Sequence, residues 1–302
     1  MTAPCALHRL LAVPLLLALA APAAAQPTQP RPPSSEPARD LRAEAEAERL
    51  AREEAEALRA EAAVNPSRPT HTDNALFIVP GAIELEAGYR IDRDRQDLDD
   101  VNTLTLVTQH IDFLARLGLA PTTEARFGWN VLHLLAVDGN REESGLGDPF
   151  AQLKHGIPVD PDGTHLLALL VTASPGIGQS PFTHRGLGLG ADAVYTVFPG
   201  PLQLDAQAGL HMVLLVDNPQ FRIPLSGVVS WSFLPTASVF GEFVQRLNLN
   251  RLNDSGTSLL AGGAWHPLPR LAVDASFGLG LSPSEPGVSF LVGATWLAGF
   301  LP

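Results

Sequence analysis

The chain is 302 residues long and 45% hydrophobic, and its 20 Lys and Arg against 32 Asp and Glu leave a formal charge of −12 at pH 7. An acidic balance of this kind argues against nucleic acid as a partner, because phosphate neutralisation needs a basic stripe. The one cysteine, Cys5, precedes the first apolar run, so disulfides, thiolate metal sites and cysteine nucleophiles are excluded from all that follows it.

At the start of the chain, His8 and Arg9 lead into an apolar run from Leu10 to Ala20, followed by Ala23, Ala24 and Ala25. This is the pattern of a secretory signal peptide, expected over residues 1–25. The run is interrupted by Pro14 and falls short of the ~20 apolar residues that a spanning helix needs. Export, acidity and the lack of later cysteines together point to a bacterial envelope protein. Residues 26–37, "QPTQPRPPSSEP", read as an extended, solvated linker.

Residues 38–64 are almost entirely Ala, Glu, Arg and Leu, a composition that favours a helix. Glu48 and Arg52 attract at i,i+4 spacing, whereas Glu44 and Glu48 repel. Leu41, Leu50 and Leu58 keep no heptad seam, so the expectation is a solvated or weakly self-associating helix. "NPSRP" ends it, and residues 65–75 are expected to be a second linker.

From residue 76 to 302 charge thins and apolar residues recur with period two. In Pro201–Val216, Leu202, Leu204, Ala206, Ala208, Leu210, Met212, Leu214 and Val216 oppose Gln203, Asp205, Gln207, Gly209 and His211. The same pattern recurs in "GAIELEAGYR", "TTEARFGWNV", "TASVFGEFVQRLNL" and "PRLAVDASFGLGL". About twelve strands are expected, an even number suited to a barrel. They would begin near Gly81, Asn102, Thr123, Gly147, Thr164, Gly186, Pro201, Phe221, Pro235, Gly256, Arg270 and Gly287.

A soluble sandwich also alternates, so three further features decide. The strands are near ten residues, which suits a tilted membrane crossing. Long connections such as "IDRDRQDLDD", "VDGNREESGL" and "SPGIGQSPFTHR" alternate with short ones such as "GLAP", "FPGP" and "LP", as in outer-membrane barrels. Aromatic residues on the apolar parity, Tyr89, Trp129, Tyr195, Trp231, Trp265 and Trp296, suit a pair of interfacial girdles. The expected fold is an all-β, antiparallel transmembrane barrel of the outer-membrane type.

The opposite parity collects candidates for lining the lumen. On the first strand these are Glu84, Glu86 and Arg90, followed by Glu124 and Arg126, then Gln152 and Lys154, then Asp192. Further along come Gln203, Asp205, Gln207 and His211, then Arg222, then Glu242 and Arg246, and finally Asp274. Acids and bases in similar numbers would pair across strands. That leaves two readings, a polar conduit and a lumen closed by its own ion pairs.

"GLGDPFAQLKHGIPV", Gly145–Val159, has a G-x-G-D opening and then an alternating strand carrying Lys154. It resembles the signature strand of the MetA-pathway phenol-degradation family of outer-membrane β-barrels. That resemblance, over residues 76–302, implies transport of small aromatic or hydrophobic solutes. It also implies a terminal aromatic signal for the barrel-assembly machinery, for which Phe300 is the candidate.

Other motifs yield no chemistry. Asp92, Asp94, Asp97, Asp99 and Asp100 suggest calcium, but the turn Gly and final Glu of a calcium loop are missing. "GLGLGADAV" lacks the last Gly and the helix of a phosphate-binding turn. Ser180 and His184 are close in sequence, yet "GQSPF" is no nucleophile elbow. The histidines show no paired metal spacing, and neither a cofactor nor an enzymatic activity is expected. Expected partners are outer-membrane lipids and lipopolysaccharide, the assembly machinery, a small solute, and a periplasmic protein on the N-terminal helix. The alternative readings are a non-conducting barrel that anchors this helix and, against the weight of the motifs, an outer-membrane lipase or deacylase using Ser180 and His184.

Overall fold

A computed structural model describes residues 41–97, 103–215 and 218–301; the expected signal peptide and Pro-rich linker lie outside them. Helix α1 runs from Leu41 to Glu61. It ends three residues before the expected bound, at Ala62-Ala63-Val64, where the chain turns to packing: Val64 is buried and its N–H donates to the carbonyl of Pro269 at 2.9 Å. The chain divides after Leu50, and the unit that begins at Ala51 carries the sheet. Among the described residues no helix is long and apolar enough to cross a membrane.

Twelve strands form in the expected places, each starting within two residues of the position read from the alternation. The first three are β1 (Ala82–Asp97), β2 (Thr103–Ala120) and β3 (Thr123–Val137). A short β4 (Asn140–Gly145) precedes β5 (Pro149–Pro158), β6 (His165–Pro175), β7 (Leu187–Val197) and β8 (Leu202–Leu214). The last five are β9 (Gln220–Leu234), β10 (Ala237–Asn248), β11 (Gly256–Leu268), β12 (Leu271–Gly280) and β13 (Val288–Phe300). Each strand pairs antiparallel with its neighbours, and β1 pairs with β13, so the sheet closes on itself. Closure removes the edge strands of an open sheet. β1 begins and β13 ends at one rim, here the terminal rim, where the connections are short; the other is the loop rim.

Three departures from the expectation have local causes. "VDGNREESGL" is not all loop: Asp138 and Gly139 both take positive φ, the requirement of a two-residue hairpin turn. They fold β4 back on β3. Residues 91–97, read as a loop, extend β1 and pair with β2. In β3, Ile111 pairs with Leu132 but Asp112 with Asn130, so Val131 is the extra residue of a β-bulge, and the two faces of β3 exchange beyond it. That exchange is why "VLHLL" does not continue the alternation of "ARFGW".

Burial is the inverse of a water-soluble protein. Lys154 is 0% exposed and Glu86 0%, while Val171 is 61% exposed and Leu210 52%. Exposed apolar side chains cover the outer wall, far beyond the few hundred Å² tolerated in water; this wall requires an apolar solvent. Tyr195, Trp231, Trp265 and Trp296 stand exposed near the terminal rim, Trp231 opposite Leu202 and Trp296 opposite Leu271 and Leu85. Tyr89 lies farther along β1 than Leu85, and Trp129 pairs midway with Phe113. The six therefore make one belt at the terminal rim and two residues above it.

Ala208→Arg, on the exposed parity of β8, should lower the unfolding free energy from lipid vesicles by about 2–4 kcal/mol, the cost of a cation near the bilayer midplane. A change near zero in urea titrations would mean that this face does not meet lipid.

Candidate functional site

Residues 64–78, spanning the whole of the expected second linker, are not a linker. They run inside the barrel, and the wall holds them chiefly by their backbone. Glu84 accepts from the N–H of Asn65 at 2.8 Å, and Glu86 from that of Ser67 at 3.0 Å. Glu242 accepts from the N–H of His71 at 2.9 Å and from Thr72, Gln207 from Asp73 at 2.8 Å, and Thr196 from Ala75 at 2.7 Å. These acceptors sit on β1, β10, β8 and β7, so the segment crosses the bore from side to side. In such a site every N–H lifted from water must find an acceptor.

The centre is ionic. Arg116 lies 3.2 Å from Glu84, 3.3 Å from Glu86 and 3.0 Å from Glu124, each of these groups 1% exposed or less. Arg126 contacts both Glu124 and Asp73. Lys154 reaches Asp73 at 3.2 Å, donates to the Leu76 carbonyl at 2.7 Å and stands 5.0 Å above the Phe77 ring. Asp73 thus belongs to the inserted segment and to the wall network at once.

The other residues on the polar parity divide into pairs. Arg90 contacts Asp92 at 3.2 Å and His71 at 2.9 Å, which places Asp92 in an ion pair rather than a calcium loop; Asp99 and Asp100 lie outside the described residues. Gln152 donates to Thr172 at 2.8 Å, and Gln203 to Asp205 at 2.9 Å. His211 is 2.9 Å from Asp192, and Arg246 pairs with Glu285. Asp274 is buried with both carboxyl oxygens unpartnered. Arg222 is exposed and has no hydrogen-bond or ion-pair partner among the described residues.

Beyond the segment the bore stays hollow. A cavity of about 290 Å³ lies between His71, Asp73, Gln152 and Gln207. A second, of about 250 Å³, opens toward the loop rim; Phe150, Thr172 and His211 border both.

The G-x-G-D opening has a structural role here. Asp148 accepts from the N–H of Gly178 at 2.7 Å, the Thr183 hydroxyl at 2.9 Å and the N–H of His184 at 2.8 Å, tying the β6–β7 connection across the mouth. Burial alone would raise this carboxyl, but the two N–H groups, the hydroxyl and the His184 ring outweigh it and hold it below its usual value. Ser180 accepts from Arg185 and is not poised as a nucleophile. His184 Nε2 lies 3.0 Å from Ser174 Oγ and 3.4 Å from Asp148. Both contacts fall on one ring nitrogen, whereas a catalytic triad uses opposite ones. The Ser174 hydroxyl is moreover directed to the Pro149 carbonyl at 2.8 Å.

Sequence reasoning missed Arg116, Thr196 and Asp73. Arg116 had a signal: Thr108, His110, Asp112 and Arg116 share one parity of β2, broken only by Leu114. A segment held by its backbone leaves no side-chain periodicity, so residues 64–78 offered none.

No protein-family model matches the chain, and no curated protein matches it. Among solved structures, the COG4313 outer membrane channel from Pseudomonas putida F1 aligns with a TM-score of 0.58 at 11% identity, over 77% of this chain and 99% of that one. The NanC porin aligns with a TM-score of 0.49 at 10% identity, over 71% and 99%. The chain therefore shares the fold of an outer-membrane channel.

Arg116→Met leaves three buried carboxylates without their shared cation and should cost about 3–5 kcal/mol of stability, the usual penalty for breaking a buried ion pair; chemical unfolding in micelles measures it. Asp148→Ala should speed amide exchange at Gly178 and His184 by about tenfold or more, since each loses a bond to a charged acceptor. Because the Asp148 carboxyl titrates below its unfolded value, the same protection should be complete at neutral pH and disappear only as pH falls below about 4.

Proposed function

We propose that this barrel spans a bacterial outer membrane and passes small solutes passively, with residues 64–78 as its gate. The observation that carries the reading is the way the segment is held. Seven of its backbone N–H groups donate to wall side chains, at Asn65, Ser67, His71, Thr72, Asp73, Ala75 and Ile78. A segment without regular secondary structure, bound in this fashion, is withdrawn without unfolding a domain, and the vacated carboxylates and hydroxyls are then met by water. The outer apolar wall supports the membrane location, and the hollow on the loop side supports capture from outside.

The resemblance carried by Gly145–Val159 adds aromatic or hydrophobic compounds as the solute class. The periplasm would hold α1, where a partner protein is positioned to draw on the segment. Lipids and lipopolysaccharide would cover the wall and the loops, and Phe300 would serve the assembly machinery.

The test uses Glu242→Ala combined with Thr196→Ala, which removes the acceptors for His71, Thr72 and Ala75 and spares the Arg116, Arg126 and Lys154 network. At about 1 kcal/mol for each bond lost, the open population should rise by about a hundredfold or more, and vesicles carrying the variant should swell correspondingly faster in small sugars. Equal rates would rule out the segment as a gate. Folded barrels that pass nothing in either form would sink the solute-passing reading.

A further inference from the structure

We propose that the loop-side cavity is a binding site for a small organic monocarboxylate with an apolar body, seated on the guanidinium of Arg222. This rests on the solute-passing reading and names the class of solute that the mouth captures. Of the arginines on the polar parity, Arg90, Arg116, Arg126 and Arg246 each face a carboxylate. Arg222 alone among them has no partner among the described residues, and it lines the cavity of about 250 Å³.

No described Asp or Glu lines that cavity. The carboxylates beside it are engaged elsewhere, Asp192 with His211 at 2.9 Å and Asp148 with His184 at 3.4 Å. A concave site with an unpaired guanidinium and no lining acid concentrates anions, and a planar fork of N–H donors matches a carboxylate better than a neutral hydroxyl.

The remaining surface selects the body of the ligand. The Phe150 ring occupies the space that a side chain at Gly128 would need, a Cβ there falling 2.1 Å from it; glycine at 128 thus lays the ring against the wall and keeps the hollow open. Phe150 and Val213 give the cavity its apolar side. His184 lines the same cavity and adds a polar edge to it. The volume is below the ~300–1,000 Å³ of pockets for drug-sized ligands, which fixes the scale at one small ring or a short acyl chain.

Benzoate and its neutral counterpart benzyl alcohol are the probes, titrated calorimetrically into the intact mature chain in micelles. Benzoate should bind about tenfold tighter or more, the worth of a charge-assisted bond, and Arg222→Gln should erase the preference while leaving benzyl alcohol within about twofold. Arg222 is exposed, so the variant should fold, and heat-modified gel mobility checks that it does. Equal binding of the two probes, or a preference that survives Arg222→Gln, overturns the site. Benzoate flux into vesicles separates the two readings. Arg222-dependent binding without flux keeps the site and sinks the solute-passing reading, whereas flux without Arg222-dependent binding does the reverse.

Discussion

The structure turns on the burial of Arg116, Arg126 and Lys154 among Glu84, Glu86, Glu124 and Asp73. Charges taken out of water are expensive unless each meets an opposite charge and its remaining donors are satisfied. Here three strands, β1, β2 and β3, supply most of the network, and β5 supplies Lys154. The wall carries an excess of acceptors, and the inserted segment completes the set: its N–H groups take the spare oxygens, and its one carboxylate, Asp73, takes the spare donors of Arg126 and Lys154. Wall and segment are each electrostatically incomplete without the other, so the bore is closed by complementarity rather than by packing volume.

Much of this architecture was legible because a two-sided wall writes itself into the sequence with period two. The strand positions follow from parity and turn chemistry. Three failures follow from the loss of that parity. The bulge at Val131 exchanges faces within β3, Leu114 interrupts the polar side of β2 and hides Arg116, and residues 64–78 have no face at all. Asp138–Gly139 carried a hairpin signature that predicted β4, yet the acidic "REES" beside it reads more easily as a loop. The deepest omission concerns pairing: parity says which residues point inward, not which of them has a partner, and so it does not separate Arg222 from the other arginines.

The two halves of the bore show opposite chemistry for that reason. Toward the terminal rim, the Arg116 network is matched and dry, with side-chain exposures of 1% or less at Arg116, Glu84, Glu86, Glu124 and Lys154. Toward the loop rim, the Asp192–His211 and Asp148–His184 contacts leave their histidines 44% and 28% exposed, and Arg222 is unmatched. A solute arriving from the loop side meets polar groups that are already partly wet, so the desolvation cost is small at first and rises with depth.

Depth then couples the solute to the gate. The inner cavity of about 290 Å³ shares Phe150, Thr172 and His211 with the mouth and is bounded by His71 and Asp73 of the inserted segment. A solute that settles there touches the segment at the residues nearest its ionic anchor, where Arg126 and Lys154 hold Asp73. Of those two cations Arg126 lines the inner cavity, so an anionic group carried to that depth would compete with Asp73 for it. If residues 64–78 gate the bore as proposed, binding and release would be linked: whatever favours a negative charge in the inner cavity would weaken the bond that holds the segment, most strongly where the surroundings are driest.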